Sequence, residues 1–401
     1  MKNTNNIILG DRVLWVAIAL LSVFSFLPVF SASSNLTYVV GQGTPWSHLL
    51  KHFIVLLFGF ALMYSLHKIP YHYFKGISIL ALPLVILLLI YTATLGNLIA
   101  GANANRWISI PIVGLSFQTS TLASIVLLAY VANFMSKHKP GFNRLKPSII
   151  KLWLPVFIVI LLILPANLST SVLLFFMVLI LVFLGGYPIK YLLGMFGMGL
   201  FMAMFFILIA KANPDLVPNR IDTWISRIEN FASGVDNGGN YQIERAKTAI
   251  ATGGLLGVGA GKSVMKNFLP QSSSDFIYAI IVEEFGLLGG TALILLYLVV
   301  LFRIVVIAHK SDTVYGKLLV LGLGLPVIMQ AFVNMAVALH VFPVTGQTLP
   351  LISSGGTAAW MTCIAFGMIL SVSAGKKIES NTLQDSEDKV ENPLIILGET
   401  I

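Results

Sequence analysis

Three carboxylates in residues 269–286 are the side chains whose setting most suggests chemistry. The run reads LPQSSSDFIYAIIVEEFG, so Asp275 opens a strongly apolar stretch and Glu283 and Glu284 lie inside it. A carboxylate in or beside a membrane-spanning segment is costly and is by default a candidate functional residue. On a helix that begins near Asp275, Glu283 lies about two turns deeper and about 80° around, and Glu284 lies on nearly the opposite face. The three acids therefore cannot form one site.

Asp275 has three interpretations on residue physics alone. An aspartate at the start of a helix commonly caps the first free N–H groups, so a helix N-cap is the first of them. A catalytic or substrate-binding carboxylate is the second, and a proton relay is the third. Glu283 and Glu284 are expected to be buried structural acids, paired with residues such as Arg303 or with backbone groups.

Basic residues in two other segments could bind an anion. Arg106 is followed by Trp107, which fits either a snorkelling anchor at the membrane interface or a clamp for phosphate oxygens. Lys262 and Lys266 fit either a diphosphate headgroup site or ordinary interfacial lysines. The sequence GVGAGKS lacks the glycine spacing of a phosphate-binding loop, which excludes nucleotide binding there. The glycines between 253 and 261 instead predict a tight turn or close helix packing.

The elements that must position these residues are predicted to be membrane-spanning helices. The chain is 57% hydrophobic and 10% charged, with a mean hydropathy of +0.89, whereas soluble domains carry about 25% charged residues. Apolar windows long enough to cross about 30 Å of hydrocarbon recur along the chain. We predict an all-α polytopic integral membrane protein. Its ten predicted transmembrane helices are 13–31, 49–66, 76–95, 120–135, 151–165, 168–185, 190–210, 275–302, 317–341 and 354–375.

The distribution of lysine and arginine predicts how this bundle is oriented. With ten spans, the positive charges gather in the loops on one side, which places both the N-terminus and the C-terminus in the cytoplasm. One large extracytoplasmic loop, 211–274, then follows the seventh span. The net charge of +9 reflects topology and attraction to anionic lipid, and it does not indicate nucleic-acid binding. We interpret the N-terminal apolar run as a retained span, Cys363 as a packing residue and 376–401 as a disordered cytoplasmic tail.

Three polar segments are predicted to meet in a cavity on the outer face. They are 101–118, the long loop and 342–356, and irregular backbone at membrane depth must be surrounded by protein or water. Within the long loop, 241–250 predicts a short amphipathic helix. This helix is expected either to lie along the outer membrane surface or to pack on the bundle.

Several short motifs, in this order along the chain, resemble the FtsW/RodA/SpoVE (SEDS) family of membrane proteins. Within 106–118, the segments RWI and FQ resemble the family's RWI…FQPSE, and 257–263 resemble its GLGLGNS. Residues 275–286, DFIYAIIVEEFG, resemble DFIFAIIGEELG, and 348–356, TLPLISSGG, resemble TLPLISYGG. The resemblance covers residues 10–375, with ten spans and the long loop after the seventh.

The chain departs from the family's motifs where those motifs carry polar or charged groups. Thr121 stands where FQPSE has its acid, and Asn167 stands where QPDLGT has its carboxylate. Gln271 replaces the acid of LPEAHTD, and Thr345 replaces the lysine of the PTKG found in the division branch. These replacements reduce the number of proton-handling groups and single out Asp275 further.

The resemblance implies that residues 1–375 form a peptidoglycan glycosyltransferase that polymerises lipid II at the outer face of the cytoplasmic membrane. In that reaction the GlcNAc 4-hydroxyl of one lipid II attacks the anomeric carbon of the growing chain's terminal MurNAc. Undecaprenyl diphosphate leaves, and a β-1,4 linkage forms. The family motif implies Asp275 as the general base for the hydroxyl proton. The substrate-binding residues expected with it are Arg106, Gln118, Lys262, Lys266, Glu283, Thr345, Ser353 and Ser354.

The resemblance also implies the surroundings of such an enzyme. The expected partners are a class B penicillin-binding protein, other divisome membrane proteins and membrane lipid, in the bacterial inner membrane at the division septum. A divalent cation, Mg²⁺ or Mn²⁺, could share the leaving-group charge, although no metal-ligand spacing is visible in the sequence. Thr348 in GQTLPLIS favours the division (FtsW-like) branch over the elongation (RodA-like) branch.

Two other functions are compatible with the same residues. A lipid II flippase would use intramembrane charge and discontinuous helices. A scaffold that only activates a partner would need no catalytic group. The polar features gather on the predicted outer side, while the inner loops resemble simple basic connectors. This asymmetry favours chemistry at the outer face.

Overall fold

Helices build most of this chain. The computed structural model describes residues 9–38, 43–95, 97–99, 102–110, 115–138, 145–212, 231, 241–269 and 272–391. In chain order the helices are α1 (Arg12–Tyr38), α2 (Pro45–Leu66), α3 (Tyr73–Leu95), α4 (Thr119–Ser136), α5 (Leu145–Ser148), α6 (Leu154–Ile163), α7 (Leu168–Leu184), α8 (Ile189–Ala212), α9 (Tyr241–Gly253), α10 (Ile277–Lys310), α11 (Val314–Ala338) and α12 (Thr357–Glu391). A π-helical turn, Ile149–Trp153, joins α5 to α6.

The apolar length of these helices matches the thickness of a membrane. Among the described residues, eight helices are long and apolar enough to cross it, namely α1 to α4, α8 and α10 to α12. The predicted fifth and sixth spans correspond to shorter apolar helices, Ile149–Ile163 and Leu168–Leu184. The predicted class, a helical multi-pass membrane protein, is confirmed. The count of ten crossings and the orientation of the loops stay predictions.

The described residues of the segment 101–118, expected to be irregular, instead contribute to a small antiparallel sheet. Its strands are β1 (Asn97–Ile99), β2 (Ala102–Ile110) and β3 (Leu115–Gln118), in the order β1-β2-β3. The register pairs Trp107 with Gln118. Strand pairing gives backbone N–H and C=O groups partners next to an apolar bundle, which irregular backbone would lack.

Helix α9 packs on the bundle. It contacts both α10 and α11. The face that α9 buries recurs every three or four residues, as on a surface helix of a folded bundle. Its buried residues are Ile243, Ala246, Ala249 and Gly253, and α10 is the helix that it contacts most. Of the two alternatives for this helix, packing on the bundle is therefore the observed one.

Arg303 does not pair with the glutamates of α10, as one interpretation had expected. Its guanidinium bonds Asp11 at the start of α1. At a rise of about 1.5 Å per residue, Arg303 lies roughly 30 Å along the helix from Glu283, far beyond the reach of its side chain.

The last helix extends past the predicted domain boundary at residue 375. Helix α12 continues to Glu391, whereas a disordered tail was expected from 376, and 392–401 lie outside the described residues. Cys363 is buried where α12 meets α2, and a Cβ added to Gly59 would lie 2.9 Å from its Sγ. This position matches the packing role predicted for the thiol.

Candidate active site

A cavity of about 570 Å³ lies between α2, α4, α7, α11 and α12. It brings together the three polar segments that the sequence places on one face, through Gln118, 273–275, 346–348 and 354–356. Part of the wall is polar and part is apolar. The apolar part includes Leu128, Leu174, Met177, Leu323 and Ala365. The cavity therefore offers two different surfaces to one ligand.

Asp275 belongs to the polar wall, on the turn that leads into α10. It is the only carboxylate among the described residues that line the cavity. Helix α10 begins at Ile277, its N-cap residue is Phe276, and this cap makes no side-chain hydrogen bond. The interpretation of Asp275 as the helix N-cap is therefore wrong.

Two amide side chains of α11 hold the Asp275 turn against the loop after α11. Asn334 Nδ2 donates to the carbonyl of Asp275 at 2.8 Å and to the carbonyl of Gln347 at 2.7 Å. Gln330 Nε2 donates to the carbonyl of Thr348 at 2.9 Å. These carbonyls lie outside helices and strands, so the amides supply the partners that secondary structure would otherwise give. The two loops are thereby fixed relative to each other.

The two predicted substrate-binding serines have different positions. Ser353 is buried, and its Oγ donates to the carbonyl of Ser274 at 2.6 Å and accepts from the N–H of Leu349 at 2.7 Å. Ser354 lines the cavity, and its N–H donates to the carbonyl of Ser273 at 2.9 Å. The structure thus places Ser354 where a ligand could reach it and makes Ser353 a support behind the Asp275 turn.

Gly346 brings backbone close to the carboxylate. Its φ is +67°, and a Cβ added there would lie 3.5 Å from Asp275 Oδ2. Glycine adopts this conformation without the steric cost that other residues meet. The preceding Thr345, predicted to bind substrate, does not line the cavity. Its Oγ1 is buried and has no hydrogen-bond partner among the described residues.

Glu283 lies behind the site and fastens the loop that precedes it. Its carboxylate accepts hydrogen bonds from Ser263 Oγ, from the N–H of Val264 at 3.0 Å and from the N–H of Met265 at 3.3 Å. The side chain is fully buried and does not line the cavity. The predicted pairing with backbone groups is confirmed. The structure supports a structural role for Glu283, because its carboxylate oxygens bond other protein groups. The substrate-binding role stays a prediction.

Glu284 extends the same cluster to α1. Its carboxylate accepts from Ser31 Oγ and from the N–H of Ser263 at 3.3 Å. Lys266 Nζ donates to Ser31 Oγ at 3.1 Å and to the carbonyl of Gly261 at 2.7 Å. Lys266 therefore bonds within this cluster and does not line the cavity.

A break in α10 receives the loop that follows α9. The break is at Gly286, with φ 69° and ψ −174°. The N–H of Val258 donates to the carbonyl of Glu283 at 3.0 Å, across the contact. A Cβ added to Gly257 would lie only 2.2 Å from the carbonyl oxygen of Glu284. The close packing predicted for these glycines is confirmed, and it occurs between backbones.

The remaining predicted substrate-binding residues divide between the cavity and its outside. Gln118 lines the cavity at the end of β3, and its Nε2 donates to Ser120 Oγ at 2.9 Å. Lys262 is exposed and does not line the cavity. Arg106 lies in β2, and its side chain is outside the described part of the structure. The roles of all three residues stay predictions.

Two positions where family motifs carry an acid contribute neutral groups to the cavity wall. Thr121 lines the cavity and donates to the carbonyl of Gln118 at 2.8 Å. Asn167 also lines it, while its Oδ1 accepts from the N–H of Thr170 at 3.2 Å and caps α7. Gln271 lies outside the described residues. Because Thr121 and Asn167 are neutral, the described wall has no second carboxylate beside Asp275.

Sequence reasoning missed the basic residues of α2. His48, Lys51 and His52 all line the cavity, and Lys51 is the only lysine or arginine in its described lining. Their spacing, i, i+3 and i+4, places them on one face of the helix and was the available signal. The spacing alone was not sufficient, because the sequence does not show which part of the protein this helix face contacts.

The described residues contain no cluster of side chains that could bind the predicted Mg²⁺ or Mn²⁺. Within the described part of the chain, no three His, Cys, Asp or Glu side chains cluster in a way that could hold a metal ion. Asp275 is a single carboxylate, whereas a protein-bound divalent cation usually takes several oxygen ligands. The residues present therefore do not form a preformed metal centre.

Comparison with known sequences gives a consistent picture. The sequence model of the FtsW/RodA/SpoVE family, described as cell cycle proteins, matches residues 11–378. The probable peptidoglycan glycosyltransferase FtsW of Coxiella burnetii is 30% identical over 369 residues, which cover 89% of this chain and 95% of that protein. The similarity is therefore spread over nearly the full length of both chains.

Solved structures share the fold. A chain from a peptidoglycan synthase complex, studied for the coordination of polymerization and crosslinking, aligns with a TM-score of 0.71 at 24% identity, covering 90% of this chain and 97% of its own. The rod shape determining protein RodA of Thermus thermophilus aligns with a TM-score of 0.64 at 24% identity, covering 90% and 96%. At these identities the likeness shows the architecture.

Proposed function

This chain belongs to the FtsW/RodA/SpoVE family of cell cycle proteins, and from that premise we propose that it is a peptidoglycan glycosyltransferase. It polymerises lipid II into β-1,4 glycan strands. The relative from Coxiella burnetii carries the name of such an enzyme and matches 89% of this chain. The observation that carries the assignment to a site is Asp275, the sole carboxylate in the described lining of the cavity.

Asp275 acts as the general base in this proposal. The GlcNAc 4-hydroxyl gives its proton to the carboxylate while its oxygen attacks the anomeric carbon of the donor MurNAc. The bond to the undecaprenyl diphosphate oxygen breaks, and attack opposite the leaving group turns an α-linked donor into a β-linked product. A positioned base contributes about 10²–10⁴-fold to such a step.

The surroundings of Asp275 suit a base that must stay in place. Asn334 holds its carbonyl, and the backbone at Gly346 lies beside its carboxylate. Fixing the carboxylate in advance removes the entropy that a mobile base would lose in the transition state. The polar and apolar walls of the cavity match a substrate that joins sugars, through a diphosphate, to a polyprenyl chain.

The setting of the reaction follows from the same assignment. We place the Asp275 end of the bundle on the outer face of the inner membrane, with ten crossings and both termini in the cytoplasm, because lysines and arginines gather at the opposite end. The division septum is its location, in keeping with the FtsW name of the relative. A class B penicillin-binding protein cross-links the strands, and other divisome proteins accompany it.

Polymerisation from purified components tests the proposal. The full chain is reconstituted with its penicillin-binding partner, and fluorescent lipid II is converted to glycan that is resolved on a gel. We expect a ladder from the wild type and none from Asp275→Ala. The matched control is Asp312→Asn, an exposed acid at the other end of the bundle, which should polymerise normally.

The outcomes separate the competing functions. Equal ladders from the wild type and from Asp275→Ala would remove Asp275 as the base. Transbilayer movement of lipid II without polymer would instead identify a flippase. Polymer made by the partner alone, merely stimulated by this chain, would identify a scaffold.

A further inference from the structure

One face of α2 brings three basic side chains to the cavity. His48, Lys51 and His52 are at i, i+3 and i+4, so they share a helix face, and all three line the cavity. The helix begins at a complete capping box, in which Thr44 and Ser47 bond each other's backbone N–H. A capped first turn holds the side chains that follow it in a defined direction. These three residues are called the α2 basic face.

The position of His52 is fixed by α1. Ser25 Oγ donates its single proton to the carbonyl of Ser22 at 2.6 Å, and it lies 2.8 Å from His52 Nε2. Because that hydroxyl proton is already used, His52 Nε2–H is the donor to Ser25 Oγ. The ring of Phe26 contacts the imidazole edge to face at a centroid distance of 5.6 Å. Helix α1 therefore anchors the buried end of the α2 basic face.

The described cavity wall carries one fixed charge of each sign. Lys51 is its only fixed cation and Asp275 its only acid, while the other polar groups are amides, hydroxyls and backbone, as in Gln118 and Gln347. The Lys51 ammonium group with the His48 imidazole beside it favours an anionic ligand, and phosphate oxygens are common partners of lysine. His52, whose Nε2–H is used by Ser25, holds the face in place and is not a ligand. The apolar wall of the same cavity favours a hydrocarbon chain attached to that anion.

We propose that the α2 basic face binds the diphosphate of a polyprenyl-linked substrate, with Lys51 as a direct ligand and His48 as a second. The proposal rests on the proposed function, since it names the subsite for the leaving group of that reaction. It assigns to α2 a role that the sequence had suggested for Arg106, Lys262 and Lys266. Neither of those lysines lines the cavity, and Lys266 bonds Ser31 and Gly261.

A direct binding measurement tests the site apart from catalysis. Geranylgeranyl diphosphate, inorganic pyrophosphate and geranylgeraniol are titrated by isothermal calorimetry into full-length Asp275→Asn protein in nanodiscs. We expect the prenyl diphosphate to bind, and Lys51→Met, added to this background, to weaken it at least about tenfold, the effect of losing one charge-assisted contact. Geranylgeraniol, which lacks the anion, should bind weakly and equally to both proteins.

Matched variants control for folding. Lys51→Arg keeps a cation and should retain most of the affinity. Lys68→Met removes an exposed lysine at the other end of α2, where its Nζ lies over the ring of Tyr64, and should leave binding unchanged. If Lys51→Met does not fold, as judged by size-exclusion chromatography, His48→Gln replaces it and should weaken diphosphate binding by a smaller factor.

Each outcome decides the proposal. Equal affinity of Lys51→Met and the parent for the prenyl diphosphate overturns it, as does the absence of any binding by the parent. Tight binding of pyrophosphate alone, with no gain from the prenyl chain, overturns the lipid-linked part. In the polymerase assay, Lys51→Met should mainly raise the KM for lipid II. A lysine-dependent diphosphate site in a chain that makes no polymer would preserve this site while rejecting the glycosyltransferase.

Discussion

Asp275 and the Glu283–Glu284 pair are carboxylates of the same short run, yet the fold gives them opposite surroundings. Asp275 is half-buried and lines a cavity. Glu283 and Glu284 are buried, and each carboxylate accepts hydrogen bonds, Glu283 from the loop before α10 and Glu284 from that loop and from α1. A fully buried carboxylate that accepts hydrogen bonds from neighbouring loops stabilises the fold, whereas a carboxylate that lines a cavity can also be reached by a ligand.

This difference explains how one motif can serve two purposes. The first part of α10, from Ile277 to Glu284, is buried throughout, so it forms a rigid support for the Asp275 turn. The glutamates attach the preceding loop to that support. Catalysis and stability therefore depend on different residues of the run, and substitutions should separate them.

The largest expected effect is on activity at Asp275. Asp275→Asn keeps the shape of the side chain and removes its ability to accept a proton, so the polymerisation rate should fall about 10²–10⁴-fold. The midpoint of thermal unfolding should not change. A large loss of thermal stability in this variant would show that Asp275 is a structural acid like Glu283 and Glu284. The contrast between a catalytic and a structural carboxylate would then be wrong.

The next largest effect is on stability at Glu283. Glu283→Ala leaves the buried Ser263 hydroxyl and two partly buried N–H groups without their acceptor, so it should lower the free energy of unfolding by about 2–3 kcal/mol. Denaturant titration followed by tryptophan fluorescence measures the change. Glu283→Gln retains one acceptor oxygen and should lose less. If Glu283→Ala were as stable as the wild type but inactive, the predicted substrate-binding role would return.

A smaller effect is expected where the backbone approaches Asp275. Gly346→Ala forces a non-glycine residue to φ +67°, at a cost of about 1–2 kcal/mol. Because the new methyl group lies near Asp275 Oδ2, activity should also fall, by about tenfold for a displaced catalytic group. Gly76→Ala is the control, since nothing lies within 4 Å of its added Cβ. Unchanged kinetics in Gly346→Ala would show that Asp275 does not depend on this contact.

The smallest effect is expected at the α1 end of the glutamate cluster. Ser31→Ala removes one donor to Glu284 and one acceptor for Lys266, so it should lower the free energy of unfolding by about 1 kcal/mol. Ser34→Ala removes only a bond to the carbonyl of Ser31 within the same helix, and it should change stability by less than about 0.5 kcal/mol. Equal losses from the two variants would argue that the bond between α1 and Glu284 contributes nothing of its own.

The spans could be predicted because their signal is local. An apolar run long enough to cross hydrocarbon becomes a helix whatever its neighbours are, and α8 shows this clearly, since no residue of its most apolar window is buried. The sheet of β1 to β3 escaped prediction because its bonds depend on a hairpin register, which short polar runs specify weakly.

Site residues were predictable where one segment contained the whole signal. Asp275 stands out as an acid at the edge of an apolar run, and this needs no knowledge of the fold. The surroundings of Glu283 could not be predicted, because helical spacing gives its direction relative to Asp275 but not the loop that covers it. Lys51 was missed because its importance arises when α2 packs against α12, a contact between residues far apart in the chain.

The break in α10 at Gly286 has a consequence for which amino-acid substitutions this chain can accept during evolution. Because the loop after α9 meets α10 through backbone atoms, the contact is specified by missing Cβ atoms at Gly253, Gly257 and Gly286. Leu255 and Leu256, between Gly253 at the end of α9 and Gly257 in the loop, are 69% and 79% exposed. We therefore expect substitutions to be tolerated at these leucines and to be strongly selected against at the glycines. The smallest residues of this contact are thus the ones whose identity evolution can change least.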